Sequence, residues 1–153
     1  MAKNSQKNAL LTEQKIHQAI LDIFLDRGWD AVTYGSIAKY TGLSRGGVQR
    51  VVPSKEAMSE VTKGKLLEIV TEELDFENED AFVQSWMEGL QKQRFSNSIK
   101  YLVIAVSAGD AGRERSLKGL EILAKKGGIT KGVMRSLLGF SVYHLLELKS
   151  PEV

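Results

Sequence analysis

The chain has 153 residues, 42% of them hydrophobic, and a net charge of +2. The absence of cysteine excludes disulfides, thiolate metal sites and cysteine redox sensing. No apolar run approaches the roughly 20 residues that span a bilayer, and the opening MAKNSQKNALLTEQ lacks a signal-peptide core. A cytoplasmic protein without metal or cofactor is therefore expected.

Residues 1–11 read as a flexible basic arm, with Lys3 and Lys7. A first helix is expected from about Glu13 to Arg27. Ile16, Ala19, Ile20, Ile23 and Phe24 fall on one face, and Gly28 stops it. Thr33 is suited to cap a second, short helix, whose Ile37 and Ala38 suit a close helix crossing. Gly42 stands where the chain must reverse and can take a positive φ at little cost. Ser44 caps a third helix opening at Arg45, which must end before Pro53. Helix, glycine turn, helix at this spacing is the pattern of a helix-turn-helix, a DNA-reading device.

The third helix carries Gly46 and Gly47 side by side, each costing about 1 kcal/mol against alanine. A helix made only for stability would not keep them. A bare helix face allows close approach to another surface, such as a DNA backbone. Arg45, Gln49 and Arg50 are the expected base readers, since arginine matches guanine and glutamine matches adenine in the major groove. Thr33, Tyr34 and Lys55 are the expected backbone contacts, near helix N-termini that favour phosphate, and Ser44, Gly46 and Gly47 are expected at the DNA surface with them.

These residues carry a resemblance. Residues 16–58 resemble the DNA-binding domain of the TetR family of bacterial transcriptional regulators. The shared placing is Ile16, Ala19, Phe24, Gly28 and Thr33, then IAKYTGLSRG, then PSKEAM. The chain departs from the family at Gln49, where an aromatic usually touches a phosphate, and at Val52, where a second aromatic usually packs. It is also short for the family. The resemblance implies a dimer joined through the last two helices.

Beyond Ser54 further helices are expected. A long fourth runs from Lys55 to about Leu74, a fifth from Glu79 to Arg94, and a sixth from about Asn97 to Ala108. A seventh spans Arg113 to Lys126 and an eighth Thr130 to about Lys149. The sixth is apolar almost all round, which marks a buried helix. The eighth is apolar on two faces, so it needs two partners: its own core and, through Leu137, Phe140 and His144, a second copy of the chain. The fold class is all-α. It comprises a flexible arm (1–11), a three-helix DNA-binding domain (12–53) and a helical dimerisation and ligand-binding domain (54–153).

Charge is uneven. Residues 1–65 hold ten basic and six acidic residues, and residues 66–153 hold eleven and thirteen. A basic first part suits a DNA-facing end. Trp86, Met87, Leu90, Phe95 and Tyr101 are the candidate lining for a small apolar effector. Enzymatic chemistry finds no motif: His17 and His144 are lone histidines on separate helices, and no nucleophile or phosphate-loop signature occurs. Three classes compete: a ligand-released repressor, an architectural or plasmid-maintenance DNA-binding dimer, and an apolar-ligand carrier or enzyme with a degenerate helix-turn-helix.

Overall fold

The computed structural model describes residues 2–107 and 109–148 and is all-α; no strand occurs among the described residues. Among the described residues nine α-helices follow in chain order: α1 (Ala2–Arg27), α2 (Tyr34–Thr41), α3 (Arg45–Val51), α4 (Lys55–Lys63), α5 (Leu66–Glu72), α6 (Glu79–Gly89), α7 (Gln93–Ile104), α8 (Asp110–Gly127) and α9 (Lys131–Glu147). Short 3-10 turns occupy Trp29–Ala31 and Ala105–Ser107. The chain divides into two units between Leu66 and Leu67.

The first unit is built by local signals. Gly28 takes φ 88° at the end of α1, and its N–H donates to the Phe24 carbonyl at 2.8 Å. Thr33 caps α2 by accepting from the Ser36 N–H at 3.0 Å, while the Ser36 hydroxyl accepts from the Thr33 N–H at 3.0 Å. Gly42, at φ 73°, closes α2 in the left-handed region. Ser44 accepts from the Gly47 N–H at 3.0 Å and opens α3. Ser54 does the same for Ala57 at 3.1 Å and opens α4.

Ile16, Ile20, Phe24, Val32, Ile37, Val48, Val52 and Met58 fill the core of this unit. Val52 packs there without the family's usual aromatic. Met58 and Thr62 are buried and α4 packs on α1, so the unit runs on to Leu66, past residue 53. Residues 2–11, expected as a flexible arm, continue α1 as an exposed helix. They contain neither glycine nor proline, so nothing interrupts the helix there.

The second unit packs Val70, Phe82, Trp86, Leu90, Phe95, Ile99, Leu123, Met134 and Leu137 into one core. Phe76, Phe82, Trp86 and Phe95 form a chain of rings, with successive centroids 5.6, 6.1 and 5.5 Å apart. The buried Trp86 indole N–H donates to the Ser141 hydroxyl at 2.8 Å, and that hydroxyl donates to the Leu137 carbonyl at 2.6 Å. A Cβ on Gly127 would stand 2.6 Å from the Phe82 ring, and one on Gly89 2.9 Å from the Phe95 ring. These two glycines let α8 and α6 approach the aromatic rings closely.

Three expected helices differ. The fourth breaks at Gly64–Lys65, where the Lys65 N–H turns back to Thr62. The fifth ends at Gly89, because the chain must reverse there to bring Phe95 over it. The sixth is buried only over Phe95–Ile99, and Ile104 at its end is exposed. Ala108 and Lys149, where the sixth and eighth were expected to end, lie outside the described residues. No helix among the described residues is long and apolar enough to cross a membrane.

Candidate nucleic-acid interface

The turn from α2 to α3 brings most of the expected DNA contacts onto two short neighbouring helices. Val48, the inward-facing residue of α3, is fully buried. It fixes the roll of the helix and leaves Ser44, Arg45, Gly46, Gln49 and Arg50 exposed. Thr33 is exposed at the start of α2 and Tyr34 is half-buried beside it.

The two glycines of α3 have different surroundings. A Cβ on Gly47 would stand 3.2 Å from the Ser44 hydroxyl, so Gly47 serves the cap. A Cβ on Gly46 would meet nothing within 4 Å. No internal packing therefore asks for glycine at position 46, and the propensity cost has no compensation within the protein.

Sequence reasoning missed Gly35. The Arg45 side chain lies back over the first turn of α2, and a Cβ on Gly35 would stand 3.0 Å from a terminal guanidinium nitrogen. Gly35 could have been found by the argument applied to residues 46 and 47, since a glycine in the first turn of a short helix lowers its stability.

Lys55 is exposed at the start of α4, and its side chain lies back over the turn after α1. Its ammonium donates to the Val32 carbonyl and, at 3.4 Å, to the Trp29 carbonyl. It also stands 4.4 Å from the centre of the Trp29 ring. Burial lowers its pKa from the ordinary 10.5, against the opposing pull of Asp30. Two carbonyls and a ring face are its partners within the chain, so Lys55 ties the start of α4 to the turn after α1.

In the second unit the residues expected to line an effector site are mostly core. Trp86, Leu90 and Phe95 are buried against one another. Tyr101 is half-buried on α7. Met87 borders an open hollow of about 590 Å³ that also includes Val133, Leu137 and Phe140. The residues expected to join two copies divide similarly. Leu137, 5% exposed, belongs to the core of its own unit. Phe140 is exposed and stacks on the half-buried His144, ring centres 6.2 Å apart. The exposed apolar face of α9 consists of Phe140, Val142, Tyr143 and Leu146, with Leu117 and Ile122 exposed on α8.

The fold is thus that of an all-helical protein in two units, the first with two short helices set around a glycine turn and the second with an aromatic core. The family described as the tetracycline repressor LuxT C-terminal domain matches residues 63–145, more than half of the chain, and the chain belongs to this family. No match occurs among curated proteins.

Proposed function

We propose that this chain is a sequence-specific DNA-binding transcriptional regulator: a cytoplasmic repressor that binds a palindromic operator as a homodimer and is not an enzyme. The family supports the regulator class. Gly46 carries the DNA-binding reading. It costs helix stability, nothing inside the protein uses the space it leaves, and it lies on the exposed side of α3 between Arg45 and Gln49. A phosphate backbone or groove wall pressed against α3 accounts for it.

In this reading Arg45, Gln49 and Arg50 reach base edges, each good pair being worth about 1–3 kcal/mol of discrimination. Thr33, Tyr34 and Ser44 flank the phosphates at the starts of α2 and α3. Lys55, bonded to the turn after α1, is left out of this set of contacts. A single unit reads few base pairs, so two on one palindrome supply specificity. The exposed face of α9, with α8 beside it, is the surface for a second copy.

A second reading, an architectural DNA-binding dimer without an effector, draws support from the packing of Trp86, Leu90 and Phe95 into the core. Selection of preferred duplexes from a random pool, by the wild type and by Gln49→Ala, tests the DNA reading. One palindrome enriched by the wild type, with altered preference at one position in Gln49→Ala, is expected. No enrichment by the wild type overturns the proposal.

A further inference from the structure

In the second unit α7 and α9 border a hollow of about 520 Å³, clear of the Trp86 ring chain. This is within the roughly 300–1,000 Å³ range of small-molecule sites. Its two walls differ in chemistry. Along α7 the lining runs from polar Ser96 and Asn97 through Lys100 to apolar Ile104, all on one helix stripe. The α9 wall is apolar, formed by Leu145 and Leu146 among others.

Three observations set the ligand class. Ser96 and Asn97 are only 6% and 7% exposed, and the Asn97 amide oxygen accepts from the Gln93 side chain at 3.2 Å, so one end of the wall is a buried polar cluster. Among the described residues, Lys100 is the one charged residue of the lining, and none of them places a carboxylate in the hollow. Ile104, at the apolar end of the α7 wall, is 44% exposed, a large apolar side chain left to water beside the hollow. A cation and amide at one end with aliphatic walls at the other complement a carboxylate on an aliphatic chain.

We propose that this hollow binds a medium-chain alkanoate, its carboxylate on Lys100 with Asn97 and Ser96 beside it, and its chain between Ile104 and Leu145. The site rests on the regulator reading only for its consequence, that occupancy alters operator affinity.

Octanoate titrated into the full-length protein, followed by calorimetry, is the test, with octanol as the uncharged control. One saturable site per chain is expected. Lys100→Met should weaken octanoate about tenfold, the size of one charge-assisted hydrogen bond, and leave octanol unchanged. Lys100 is exposed, and circular dichroism checks that the variant folds. Ile104→Trp, which fills the hollow from an exposed position, should abolish both. No octanoate binding below the concentration at which it forms micelles, or equal binding by Lys100→Met, overturns the site. Operator affinity measured with and without octanoate separates the two claims. Binding without any change in affinity supports the site and removes the effector role, whereas absence of operator binding in either condition strikes the regulator reading alone.

Discussion

A terminal guanidinium nitrogen of Arg45 lies 3.0 Å from the point where Gly35 would carry a Cβ. The two residues belong to consecutive helices, and the missing side chain of one gives the other its course. An alanine at position 35 would push back the far end of a flexible side chain, which costs the fold little. Gly35→Ala is expected to melt at or slightly above the wild-type temperature, because alanine favours helix by up to about 1 kcal/mol. Operator affinity should fall by roughly 1 kcal/mol through the displaced arginine. Fluorescence anisotropy on the selected duplex measures it, and Arg45→Ala is the reference. If Arg45→Ala weakens binding and Gly35→Ala does not, the glycine has no part in aiming the arginine.

Gly46→Ala should separate stability from binding. The added methyl meets nothing inside the protein, so about 1 kcal/mol of helix propensity is gained. The same methyl stands on the proposed DNA-facing side. Chemical denaturation should show a more stable protein, and the operator assay a weaker complex. A variant both more stable and equally tight on DNA would make position 46 irrelevant to recognition.

Lys55 offers the opposite test. Removing its ammonium from the Val32 and Trp29 carbonyls and from the Trp29 ring should destabilise the first unit by about 1–2 kcal/mol. Lys55→Met retains the aliphatic stem. The slope of log affinity against log salt should remain that of the wild type, since no phosphate contact is lost. A slope lower by about one unit would return Lys55 to the DNA backbone.

The α9 surface divides into residues that hold the fold and residues free for a partner. Leu137 is buried in its own unit, and Leu137→Glu should unfold that unit, costing more than the roughly 2–5 kcal/mol of a leucine truncated to alanine. Tyr143, 68% exposed, and Leu146 can take a charge without disturbing the core. Tyr143→Glu and Leu146→Glu should sediment as folded monomers that no longer hold a palindrome. A wild type already monomeric at micromolar concentration would remove the dimer.

The parts legible in the sequence are those set by neighbours along the chain. Thr33, Ser44 and Ser54 announce helix starts, and Gly28 and Gly42 announce stops, because a cap or a positive φ is decided within a few residues. The breaks at Gly64 and Gly89 were not legible. Both glycines read equally well as helix interior, and Gly89 ends its helix because Phe95, six positions on, must lie over it. The tie of Lys55 to the turn after α1 was not legible because its partners, Trp29 and Val32, are more than twenty residues away. Trp86 and Phe95 carried the composition of a ligand pocket, but burial is decided by the helices that meet them. Ser141 was invisible as a partner for Trp86, being 55 positions distant.

The chain contains two tryptophans, and the fold places one in each unit. Trp29 is half-buried, edge-on to Phe24 and under the Lys55 ammonium. Trp86 is sealed among aromatic rings with its indole nitrogen held by Ser141. The protein therefore carries two optical reporters of different polarity. Trp29→Phe leaves an emission that follows only the second unit, Trp86→Phe one that follows only the first. Denaturation recorded through each would reveal whether the two units melt together or in sequence, without any label being attached.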